Sequence, residues 1–125
     1  DINATIEKIR ACGCKVGVSI CPDTPVISVK DLLKKVDMIL IMSVHPGFGG
    51  QAFIPESLDK IRELKAMIDA EGLRVDIQVD GGIYTHNVEE VIEAGANVIV
   101  AGSAIFKGDT ANNTKEMLEI LKRYE

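Results

Sequence analysis

"MILIMSV", residues 38–44, runs directly into "HPGFGGQAF", residues 45–53. Seven residues without a charge, most of them apolar, read as a buried strand, and His45 stops it. Pro46 and three glycines, Gly47, Gly49 and Gly50, follow at once, with Phe48 alone among them. So much backbone freedom directly after a strand needs a reason, because ordering glycine costs more entropy than ordering any other residue. Downstream, Pro55 opens a long amphipathic segment, Glu56 to Ala70, with Leu58, Ile61, Leu64, Met67 and Ile68 on one face. Gly72 ends it. The unit is strand, glycine loop, helix.

The same unit recurs along the chain. Upstream, residues 2–12 carry Ile2, Ile6 and Ile9 at helical spacing, with Gly13 as a stop. Residues 15–20 (KVGVSI) read as a short strand, broken by Pro22 and Pro25 of CPDTP. Residues 28–36 (SVKDLLKKV) read as a helix with Ser28 as N-cap. Downstream, Val75–Val79 is a strand followed by Asp80-Gly81-Gly82, and residues 87–94 are a helix stopped by Gly95. Asn97–Ala101 is a strand followed by Gly102-Ser103, and a last helix runs from about Thr114 to Arg123. Strict alternation of helix and strand predicts parallel strands joined by crossover helices. Two architectures satisfy it: an open doubly wound sheet, or part of a (β/α)8 barrel.

Composition narrows the function. The 125 residues suffice for a single domain, and 46% hydrophobic residues suffice for a core. A net charge of −5 argues against a general nucleic-acid binder. No segment approaches the roughly 18 consecutive apolar residues of a membrane span, and no signal-peptide pattern stands at the start. Cys12, Cys14 and Cys21 are odd in number and poorly spaced for disulfides or zinc, so buried or idle thiols in a reducing, cytoplasmic setting are expected.

In parallel α/β folds the chemistry sits at the carboxyl ends of the strands. Three of the four strands here end in unusual residues. Gly81-Gly82 and Gly102-Ser103 follow consecutive strands and precede helices, an arrangement that suits one phosphate group held by backbone N–H groups. Each glycine pair is also compatible with a plain tight turn. Asp80, at a strand tip, is either a catalytic carboxylate or a turn former. His45 reads as a loop-shaping residue, His86 as a surface residue, and Met42 as pointing to the core or to the site floor.

MSVHPGFGGQAFIPESLDKI, VDGGI and VAGSAIF together resemble the ribulose-phosphate 3-epimerase family, and CKVGVSICPDTPV is similar to that family's fifth strand and the loop after it. The resemblance covers essentially all 125 residues and the C-terminal half of the family's chain. It implies a (β/α)8 barrel of which this chain is a half-barrel with four parallel strands. It implies a metal-assisted epimerisation at C3 of D-ribulose 5-phosphate, in the pentose phosphate pathway, with allulose 6-phosphate as an alternative substrate. Gly47, Phe48, Gly49 and Gly50 match the family's mobile loop over the sugar phosphate. Gly81, Gly82, Gly102 and Ser103 match its phosphate cradle. Asp80 matches its catalytic aspartate, also a ligand of the divalent metal (zinc, iron, manganese or cobalt). The second aspartate, the histidine ligands and a serine lie in the family's N-terminal strands. His45 and CPDTP depart from the commoner family pattern. A half-barrel is further expected to be inactive alone, and to pair with a copy of itself or with a second half. A phosphate-binding module without catalysis is the competing expectation.

Overall fold

The computed structural model describes all residues, 1–125. Helix α1 (Ile2–Ala11) leads into β1 (Gly17–Ile20), a 3-10 helix (Val26–Leu32), β2 (Met38–Met42) and α2 (Ser57–Ala70). Then come β3 (Asp76–Asp80), α3 (Val88–Ala94), β4 (Val98–Val100), the short α4 (Ser103–Phe106) and α5 (Thr110–Lys122). All strand pairs are parallel, and the order across the sheet is β1-β2-β3-β4. A doubly wound sheet reverses its strand order at a switch point. This one does not, so right-handed crossovers place the connecting segments on one side only. The arrangement is a segment of a (β/α)8 barrel.

The two faces of the sheet therefore differ. Ile39 and Ile41 of β2 and Ile77 and Val79 of β3 are almost wholly buried, in one core with Ile61, Leu64 and Ile68 of α2. The alternate residues point the other way. In register across the open face stand Ser19, Leu40, Gln78 and Val98, and beside them Met42, Asp80 and Val100. The isoleucines of the strands all serve the helix side, and the open face mixes Met, Leu and Val with Ser, Gln and Asp. Edge strands β1 and β4 each pair on one side only.

Polar side chains lock the amino ends of the strands. Asp37 accepts from the Val16 N–H at 2.8 Å and from Arg10 at 3.1 Å, tying β1 to β2. The Val16 N–H chiefly, with Arg10 adding, holds the Asp37 carboxyl below the usual carboxylate value against the cost of desolvation. Asn97 does the same between β3 and β4, accepting from Ile77 N–H at 2.8 Å and donating to Asp76 at 2.9 Å. In barrels this end reads as stability and the opposite end as function.

Four expectations are corrected. Residues 28–36 do not form an α-helix: Val26, Val29 and Leu32, all buried, recur every three residues, and the segment is a 3-10 helix. Ser28 does not cap it, because its hydroxyl donates back to the Pro25 carbonyl at 2.6 Å. Of the buried or idle thiols expected, none is buried: all three cysteines are exposed. The last helix starts earlier than expected, at Thr110, because Asp109 caps it by accepting from Asn112 N–H at 3.1 Å. No helix is long and apolar enough to cross a membrane.

Candidate active site

The carboxyl ends of β2, β3 and β4 surround a cavity of about 320 Å³. Its walls are the loop after β2 (Pro46 to Gln51), the turn after β3 (Asp80 to Tyr84) and the loop after β4 (Gly102 to Ala104), with Met42, Val44 and Val100 beneath. Every site residue expected from the sequence lines it: Gly47, Phe48, Gly49, Gly50, Asp80, Gly81, Gly82, Gly102 and Ser103. Met42 lines it too, half-buried. His45 does not line it and is exposed; His86 is exposed and stacks on Tyr84 with ring centroids 5.5 Å apart.

Asp80 is the last residue of β3, flanked in register by Met42 and Val100. Register puts its side chain on the open face, where it is half-buried. The chain then turns sharply through Gly81 (φ 131°) and Gly82 (φ 67°), values that favour glycine. A second reason for these glycines is contact with another segment. A Cβ on Gly81 would lie 2.6–2.9 Å from Val44 atoms, and one on Gly82 would lie 2.3 Å from the Phe53 backbone N. The base of the β2 loop thus rests directly on the β3 turn. Gly102 differs: nothing stands within 4 Å of where its Cβ would be. The backbone N–H groups of Gly82, Ile83 and Gly102 donate to no protein acceptor.

The β2 loop is gathered by one side chain. Gln51 Nε2 donates to the carbonyls of His45 (2.7 Å) and Phe48 (3.0 Å), drawing both ends of the glycine-rich segment together. Phe48 at its tip is 74% exposed, poised at the cavity mouth rather than packed in a core. On α2, Lys60 donates to the carbonyls of Cys21 (2.9 Å) and Pro22 (3.1 Å), fastening the CPDTP loop. Burial lowers the Lys60 pKa, opposed by the nearby Asp23. Sequence reading found the glycines and Asp80 but not Ser43, Gln51, Lys60 or Asn87. Their only sequence signal is a polar residue where a strand end, loop or helix start leaves one unexplained.

No three His, Cys, Asp or Glu side chains converge to hold a metal ion. A divalent cation needs several oxygen or nitrogen ligands, and Asp80 is the one carboxylate that lines the cavity. These residues do not complete a metal site; they offer one carboxylate and a set of backbone amides.

Sequential parallel strands, helices on one side and a glycine-walled cavity at the carboxyl ends define a portion of a (β/α)8 barrel. The chain belongs to the ribulose-phosphate 3-epimerase family: the model of that family matches residues 1–106. Ribulose-phosphate 3-epimerase of Synechocystis sp. is 52% identical over 105 residues, covering 84% of this chain and 46% of the relative. That of Escherichia coli (strain K12) is 47% identical over 105 residues, covering 84% and 47%. The chain spans about half the length of the curated relatives it matches. Two solved structures share the fold alone. The tryptophan synthase α-subunit of Pyrococcus furiosus has a TM-score of 0.68 at 23% identity, over 96% of this chain and 50% of its own. A 3-hexulose-6-phosphate synthase has a TM-score of 0.65 at 21% identity, over 90% and 52%.

Proposed function

We propose that this chain forms the phosphate-binding and proton-transferring half of a ribulose-phosphate 3-epimerase, which interconverts D-ribulose 5-phosphate and D-xylulose 5-phosphate. The observation that carries the reading is the cavity that places Asp80 beside two consecutive glycine loops. The phosphate sits between Gly81-Gly82 and Gly102-Ser103, held by free backbone N–H groups. The ketose chain then extends toward Asp80. The C3 proton is acidic because the resulting carbanion is an enediolate, delocalised into the C2 carbonyl. Asp80 exchanges this proton on one face of C3. Inversion needs a second acid on the opposite face, and the residues outside these 125 supply it, together with the remaining ligands of a divalent cation to which Asp80 contributes one. Gly47, Gly49 and Gly50 let the β2 loop close, and Phe48 excludes water when it does.

Two unpaired edge strands and an open face suit pairing with a second half-barrel, from the rest of a longer chain or from another copy, and a cytoplasmic setting suits the exposed thiols. The test uses a complete barrel carrying these residues, incubated with D-ribulose 5-phosphate in deuterium oxide. Deuterium is expected at C3 of both ketose phosphates and at no other carbon. Incorporation at C1, or none at all, contradicts the assignment.

A further inference from the structure

Glycine pairs are the easiest places in a chain for a peptide plane to flip, since no side chain resists the rotation. The Gly81–Gly82 turn is nonetheless pinned twice, from behind, by buried side chains. Ser43, wholly buried just past β2, donates its hydroxyl to the Gly81 carbonyl at 2.5 Å. Asn87, 8% exposed at the start of α3, donates Nδ2 to the Gly82 carbonyl at 2.9 Å. Asn87 Oδ1 meanwhile accepts from Tyr84 N–H at 2.8 Å, so its amide orientation is fixed and it caps no helical N–H.

A trans peptide is planar, and its N–H points opposite to its C=O. Holding the Gly81 carbonyl toward Ser43 therefore turns the Gly82 N–H away from Ser43. Holding the Gly82 carbonyl toward Asn87 does the same for the Ile83 N–H. Neither N–H has a protein acceptor, and both residues line the cavity. Ser43 has further anchoring: its own N–H donates to the Asp80 carbonyl at 3.0 Å, and its carbonyl accepts from Ile54 N–H at 2.8 Å. Any residue could make those two backbone bonds; only the hydroxyl reaches Gly81.

We infer that Ser43 and Asn87 are positioning residues for the anion site: they lock two successive peptide planes so that the N–H groups of Gly82 and Ile83 face a bound phosphate. This rests on the phosphate assignment above and assigns the orientation of the cradle to two side chains that never touch the ligand. A flipped plane would present a carbonyl oxygen to the phosphate, replacing attraction with repulsion.

The test is titration of inorganic phosphate into the 15N-labelled complete barrel, as wild type, Ser43→Ala, Ser43→Thr and Asn87→Ala. In the wild type the Gly82 and Ile83 amide signals are expected to shift on binding. Ser43→Ala is expected to weaken phosphate binding about tenfold or more, with the Gly82 shift reduced. Its KM for the sugar phosphate rises more than its kcat falls. Ser43→Thr, which keeps the hydroxyl, restores most of the affinity. Asn87→Ala weakens binding similarly and chiefly reduces the Ile83 shift; it serves if Ser43→Ala fails to fold. Lower thermal stability with unchanged phosphate affinity and shifts in both alanine variants overturns the inference and leaves the phosphate assignment standing. A wild type whose Gly82 and Gly102–Ser103 amides ignore phosphate overturns both.

Discussion

Asp80→Asn, made in a complete barrel carrying this half, is expected to slow C3 proton exchange by about a thousandfold. Asparagine has nearly the same shape, so it fits the space between Met42 and Val100. It cannot accept and return a proton at neutral pH. A thousandfold corresponds to about 4 kcal/mol of lost transition-state stabilisation. Phosphate affinity is expected to change little, because the cradle amides belong to the following residues. Isotope exchange at C3 and phosphate titration, measured on the same variant, separate the two. A variant that keeps a tenth of the wild-type rate has lost less than about 1.4 kcal/mol, too little for a group that moves the proton. Asp80 would then be a structural residue of the β3 turn.

The largest effect on stability is expected at Gly82→Ala. The backbone there has φ +67°, and the new Cβ would lie 2.3 Å from Phe53 N and 2.7 Å from Phe53 Cα. These are main-chain atoms, so no side-chain rotation relieves the clash. Either the turn or the base of the β2 loop must move. A cost of about 3 kcal/mol or more is expected, read as a shifted denaturation midpoint. Gly49→Ala provides the contrast, with open space around its Cβ and no positive φ. Its stability is expected to stay within about 0.5 kcal/mol of the parent. Equal midpoints for the two variants would show that the β2 loop does not rest on the β3 turn as described.

How much of this was legible in the sequence depends on whether a feature is local. The alternation of MILIMSV, VDIQV and NVIVA with helical segments is local, and it led to the parallel sheet. The choice between barrel and doubly wound sheet is not local, because strand order is a long-range property; it came from the resemblance carried by MSVHPGFGGQAF, VDGGI and VAGSAIF, and the strand order bears it out. The 3-10 helix was legible in principle: Val26, Val29 and Leu32 repeat every three residues, but SVKDLLKKV also satisfies a helical period. The thiols were expected to be buried or idle, and burial, inferred from residue type, does not hold. Cys12 flanks the Gly13 turn with Cys14, and Cys21 opens the loop after β1, and such connections run over the surface. Asp80 and the glycines stood out because strand tips rarely carry them without cause. Ser43 did not, since it reads as part of an apolar run and its partner Gly81 is 38 residues away. Asn87 read as a helix start, and its bonds instead run back into the turn.

The central claim is that two consecutive glycine loops form one anion site beside Asp80, and the location of a bound phosphate tests it most directly. Crystals of a complete barrel carrying these residues, soaked in phosphate, are expected to show the anion between the β3 and β4 loops. Its oxygens should lie about 3 Å from the backbone nitrogens of Gly82 and Ser103. Phosphate found only beside the surface lysines of α2 and α5, with the glycine loops empty, would contradict the account.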